Sequence, residues 1–128
     1  MLALESLAGL RVVADPAALD GAIWSGDGDV TVLRIAPDEA FAIGAGGVAV
    51  DDPDAIVEPE PGFSGARLDS AALESVLEHV EFALPTERPA LAQGKVAGVP
   101  AKLLLSDDGP SLLVVQTAYA NDLATRLR

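Results

Sequence analysis

"VLRIAPDEAFAIG", Val32 to Gly44, sets two apolar runs on either side of Pro37-Asp38-Glu39. Val30 to Ile35 alternates β-branched and other residues as a strand does, and "AFAIG" resumes the apolar pattern beyond the break. Proline presets φ for the second position of a type I turn, which Asp and Glu then complete. The stretch therefore reads as strand, tight turn, strand, and it points to an antiparallel sheet. The adjacent carboxylates sit where a turn already favours polar residues. Neighbouring side chains on a turn point apart, and a wet turn tip lacks the desolvation that general acid–base work requires. Asp38 and Glu39 are turn residues in this reading.

Toward the N-terminus, "LRVVA" (Leu10–Ala14) is a short strand, Asp15-Pro16 opens a turn or short helix through "AALDGAI", and "SGDGD" (Ser25–Asp29) is a turn. Toward the C-terminus lies the most loop-like stretch, Gly44 to Gly62. It carries Pro53, Pro59 and Pro61 among Asp51, Asp52, Asp54, Glu58 and Glu60, with a short strand expected at "GVAV". "FSGARLD" alternates as a strand. Ser70 is then expected to cap a helix, "SAALESVLEHV", whose Leu73, Val76, Leu77 and Val80 make one apolar stripe. "GKVAGVPAKLLLS" reads as a strand or as a hairpin bent at Gly98, "DDGP" as a turn and "SLLVVQ" as a strand. "TAYANDLATRLR" closes the chain as a helix with an Ala120/Leu123/Ala124/Leu127 face and a favourable Asp122–Arg126 pair. Strands dominate, and two helices each follow one. The expected fold is α+β, an antiparallel sheet with helices on one face. The Gly44–Gly62 stretch is too short to separate domains, so residues 1–128 are expected to form one.

The composition narrows the function. With 128 residues, half of them hydrophobic and mostly Ala, Leu and Val, the chain can bury one aliphatic core. Its five aromatic residues, Trp24, Phe41, Phe63, Phe82 and Tyr119, are too few for a base-stacking surface. The absence of cysteine excludes disulfides, thiolate metal sites and thiol catalysis. A net charge of −12, with scattered basic residues, disfavours nucleic acid and anionic membranes, which need clustered Lys and Arg. No stretch approaches the roughly 20 apolar residues of a membrane span. The first residues lack a basic n-region, and a cytoplasmic location is expected by default.

No motif for catalysis survives inspection. "DDPD" and "GDGD" lack the ligand spacing of a calcium loop, and "GAGG" (Gly44–Gly47) lacks the Gly-Lys-Ser/Thr and following helix of a phosphate loop. "GFSGA" is out of register for a nucleophile elbow. His79, the single histidine, is placed in the last turn of its helix as a surface residue, without the partners a zinc site needs. No catalytic or metal-ligating residue is assigned. Trp24 and Tyr119 are core residues or partner-surface anchors, and with Phe41 they are the candidates for a partner surface.

Three collinear stretches carry a resemblance. "LRIAPDEAFAIG" resembles an "R-L-x-P-D-E-W" strand-turn-strand. "LEHVEFALPTERPALAQGKVAGVPAKLLL" is similar to a helix end, a Pro-rich loop and a strand turning at Gly-Val-Pro. "LLVVQTAYANDLATRL" looks like a closing strand and helix starting "S/A-[FY]-A-x-x-L". Together they resemble the γ subunit of heterotetrameric sarcosine oxidase and, more distantly, the folate-binding aminomethyltransferase (T-protein) of the glycine cleavage system, over Val30 to the C-terminus. The family's Trp after "PDE" is replaced here by Ala40-Phe41. The resemblance implies ferredoxin-like βαβ elements and a non-catalytic accessory subunit. Such a subunit assembles with a larger flavin- or folate-dependent subunit or with itself, and this chain alone binds neither flavin nor folate. The alternative is a small-ligand domain for a folate-like molecule or an amine, the latter attracted by the acidic loop at 51–60. A free-standing enzyme ranks last.

Overall fold

A computed structural model describes residues 2–128. Contacts divide the chain into two compact units, Leu7–Pro61 and the residues up to Ser6 with Gly62–Arg128. The chain thus leaves one unit after its first strand, builds the other, and returns at Gly62. The boundary falls at the end of the Pro-rich acidic stretch that the sequence reading treated as an internal loop.

In Leu7–Pro61, strands β2 (Gly9–Val13), β4 (Thr31–Ala36), β5 (Glu39–Ile43) and β7 (Ile56–Pro59) form an antiparallel sheet in the order β4-β5-β2-β7. Strands β3 (Ile23–Ser25) and β6 (Gly47–Ala49) pair separately. The β4–β5 hairpin turns at Pro37-Asp38 as its proline dictates. A bulge between Arg34 and Ala36 pairs Ala36 with Glu39, so Glu39 opens the second strand instead of completing the turn. Helix α1 (Pro16–Asp20) is one short turn, started by a proline whose missing N–H costs a first turn nothing. Val12, Ala14, Leu19 and Ala40 make a small core, with Leu10, Trp24, Val48, Val50 and Ala55 packed around it.

The second unit is a five-stranded sheet ordered β1-β8-β11-β10-β9, from β1 (Glu5–Leu7), β8 (Phe63–Leu68), β9 (Ala90–Val96), β10 (Val99–Leu105) and β11 (Ser111–Gln116). Alternation puts Ala66, Leu113, Leu103 and Ala92 in one row across four strands. Helices α2 (Ser70–Leu77) and α3 (Thr117–Arg126) add Val76 and Leu123 to that same core, so both helices cover one face. This is the antiparallel α+β arrangement the sequence indicates.

The finer expectations need correction. A ferredoxin-like βαβ element requires its two strands to run in the same direction. Here β8 and β9, which α2 connects, are separated by β11 and β10 through three antiparallel pairings and so run oppositely. The cap of α2 is Asp69, whose carboxylate accepts the Ala72 N–H at 2.8 Å, and not Ser70. The helix stops at Leu77. Val80 instead bridges Val96, and His79 lies beyond the helix with its carbonyl accepting the Ala97 N–H. Between β9 and β10 the hairpin bends at Ala97-Gly98, both at positive φ as a two-residue turn demands. Arg126 of α3 donates to the Ala97 carbonyl, and the Glu81 carboxylate accepts the Gly98 N–H.

Candidate functional site

Carboxylates are the natural suspects for chemistry, and in Leu7–Pro61 Glu39, Glu58, Asp20 and Asp52 fasten neighbouring segments together. Arg11, in the middle of β2, reaches Glu39 on β5 at 2.9 Å and Glu58 on β7 at 3.0 Å, bridging three adjacent strands. Hydrogen bonding and charge from Glu39, with Glu58 adding to them, raise the Arg11 pKa further and keep it cationic. Arg34 pairs with Asp20 at 2.9 Å and donates to the carbonyls of Pro16 and Pro37, fastening α1 beside the β4–β5 turn. Asp38 is exposed at the turn, and its carbonyl accepts the Ala14 N–H. Asp38 and Glu39 therefore do not converge.

Within the acidic loop, Asp52 has a definite task. Its two oxygens accept the N–H groups of Asp15 at 2.8 Å and Asp54 at 2.9 Å, which lowers its pKa and ties the loop to the start of α1. Among the described residues no group of three or more His, Cys, Asp or Glu is arranged to hold a metal ion. The loop then enters β7, an edge strand whose four residues are all exposed, Ile56 at 51% and Val57 at 46%. Sequence reading missed this strand. "IVEP" is too short to show alternation, and its Pro59 argues against a strand interior.

The aromatic candidates divide three ways. Phe41 is fully buried and belongs to the interior, which corrects its assignment to a partner surface. Trp24 is half-buried against the small core of its own unit. Tyr119 is 42% exposed on α3. Phe63, not singled out before, lies under the Lys102 ammonium at 5.8 Å, and Lys102 also donates to Gln93 at 2.9 Å. A groove of about 270 Å³ runs beside them.

A cleft of about 530 Å³ lies within Leu7–Pro61, lined by Gly9, Gly26, Gly44 and Gly46 together with Asp27 and Asp29. The Gly44–Gly47 loop that a phosphate would need runs into β6, a strand, so no helix N-terminus faces a bound anion there.

No protein-family model matches the sequence, and no curated protein matches it. Among solved structures the fold is shared with a chain of a multi-subunit oxidase. That structure is the heterotetrameric sarcosine oxidase from Corynebacterium sp. U-96, in complex with pyrrole 2-carboxylate. The likeness has a TM-score of 0.68 at 14% identity, over 99% of this chain and 80% of that chain. At such identity the likeness is one of fold. Among the described residues no helix is long and apolar enough to cross a membrane.

Proposed function

We propose that this chain is a non-catalytic accessory subunit of the sarcosine oxidase γ kind, assembling with a larger flavin- or folate-dependent subunit or with itself. The observation that carries the reading is the fold likeness to a chain of an oxidase heterotetramer across nearly the whole of this chain. The local chemistry agrees with it. Arg11, Arg34, Glu39, Glu58 and Asp52 are engaged in holding strands and loops, where a catalytic site would need them convergent and poised. Two places that could present backbone N–H groups to a phosphate are unsuited to it. The Gly44–Gly47 loop leads into a strand, and the α2 N-terminus is capped by the Asp69 carboxylate. In this reading flavin or folate is held by the larger subunit. Co-expression with large flavin-dependent or aminomethyltransferase-like subunits from the same host tests the proposal. A complex of fixed stoichiometry is expected on size exclusion with light scattering; a monomer that ignores such subunits would refute it.

A second reading, a domain for a small amine, draws on the glycine-lined cleft with Asp27 and Asp29. Thermal-shift screening against amines and folates separates the two. A ligand at about 100 times its Kd stabilises by ~2.7 kcal/mol, and a flat response across the panel removes this reading.

A further inference from the structure

We infer that the outer edge of β7 is a docking strand for an extended, Lys/Arg-bearing segment of the partner subunit, which joins the β4-β5-β2-β7 sheet as a fifth strand. The inference rests on the accessory-subunit reading and names the surface that reading leaves open.

The geometry sets the register. Glu60 donates its N–H to the Gly9 carbonyl at 2.9 Å, continuing the pairing of Leu10 with Pro59 and Arg11 with Glu58. Antiparallel strands turn alternate residues toward the partner, so Glu58 and Ile56 also point their main-chain groups at β2. The Val57 N–H and C=O and the Pro59 C=O are left on the outer side. Pro59 offers no N–H, so an incoming strand finds one donor and two acceptors at fixed places, and one register is favoured over its slips.

The side chains argue for occupancy. Short edge strands bearing charge or proline resist indiscriminate pairing, and Glu58 and Pro59 guard the second half of this one. Its first half leaves Ile56 and Val57 half-exposed, open to a segment whose charge suits the acidic surroundings. The approach is acidic. Asp51 and Asp54 lead into the strand, neither with an ion-pair partner among the described residues, in a unit of eleven acids and two bases. Both bases, Arg11 and Arg34, are already paired. Charge complementarity therefore calls for a cationic segment with small apolar residues, and like charge opposes a second copy of this chain.

The test uses the full chain with the large subunit found by co-expression. Val57→Pro removes the outward N–H without touching the ladder to β2, and Asp54→Lys reverses the approach charge. Each is expected to weaken the complex about tenfold or more, the equivalent of one lost interaction of ~1.4 kcal/mol. Hydrogen exchange is the second measurement. On assembly the Val57 amide should gain protection while Ile56 and Glu58, already bonded to β2, change little. A complex that forms with Val57 exchange unchanged and with both variants at full affinity overturns the docking strand but leaves the accessory reading standing. Failure of any complex to form removes both. Concentration-dependent dimers that Val57→Pro dissolves would assign the edge to self-pairing and overturn the cationic partner.

Discussion

Leu7–Pro61 holds eleven acids and two bases, a net charge of −9, whereas the rest of the chain holds nine acids and six bases, a net charge of −3. Their interiors differ as well. The helix-backed sheet packs a cluster of eleven buried aliphatic residues, while the buried apolar residues of Leu7–Pro61 are mostly small, with Phe41, Leu33 and Leu19 the bulkiest and only four of them in its own cluster. The acid-rich unit relies on close backbone approach and on side chains that fasten neighbouring segments, with Arg11 across three strands and Asp52 across loop and helix. The contrast teaches that acidity of this kind need not mean a reactive site. Here carboxylates and guanidiniums serve as fasteners between segments, each modest in the presence of water.

The sharpest way to break this comparison is in the aliphatic core. Leu113→Ala empties a fully buried position in the row Ala66–Leu113–Leu103–Ala92. It should cost about 2–5 kcal/mol in urea denaturation. A loss below about 1 kcal/mol would mean that the helix-backed unit is not held by this packing.

Next come two glycines whose neighbours differ in kind. A Cβ on Gly9 would overlap the Ala42 carbonyl, fixed backbone of the adjacent strand; one on Gly94 would overlap the Phe82 ring, a half-buried side chain able to swing aside. Gly9→Ala should therefore destabilise by about 2 kcal/mol and Gly94→Ala by less, since overpacking costs what the surroundings cannot relax. Equal losses in thermal melts would erase the distinction.

Smaller is the effect of Arg11→Met, which keeps the stem and removes the charge. Its deficit in Tm against the parent chain should shrink as salt rises from about 0.05 to about 0.5 M, because screening weakens the ion pairs it lacks. A deficit independent of salt would show that Arg11 matters by packing alone.

Asp52→Asn should be the mildest at neutral pH and the most informative on acidification. The Asp52 pKa is lowered in the folded chain by the N–H groups of Asp15 and Asp54. Its contribution is thus present above the ordinary carboxylate value and fades as pH falls through the lowered folded value. The stability gap between parent and variant should stay constant near neutrality and close below about pH 4. A gap that widens in acid contradicts the assignment.

Much of the fold is legible in the residues because local chemistry and tertiary packing agree there. Pro37-Asp38 turns the chain, "SLLVVQ" forms the central β11, and Leu123 anchors the last helix. Legibility fails where a longer-range partner decides. Glu39 reads as a turn residue, yet the bulge at Arg34/Ala36 and Arg11, 28 positions earlier, make it a strand residue. β1 and β7 are short pieces whose only reason to be extended is a neighbour far along the chain. Phe41 reads as a candidate for a partner surface as aromatic residues do, and only its complete burial shows otherwise. The site was less legible than the fold. Nothing in "DAIVEP" marks an edge strand until β2 is known to lie on one side of it alone.

Strand β1 neighbours β8, but the whole of Leu7–Pro61 is made between them. On a ribosome adding about 5–20 residues per second, β1 waits roughly 3–11 s before Phe63 emerges to meet it. During that interval all strands of the acid-rich segment have been made, and its net charge of −9 repels like segments of other unfinished chains. The order of synthesis thus completes the strands of the inserted unit before those of the five-stranded sheet.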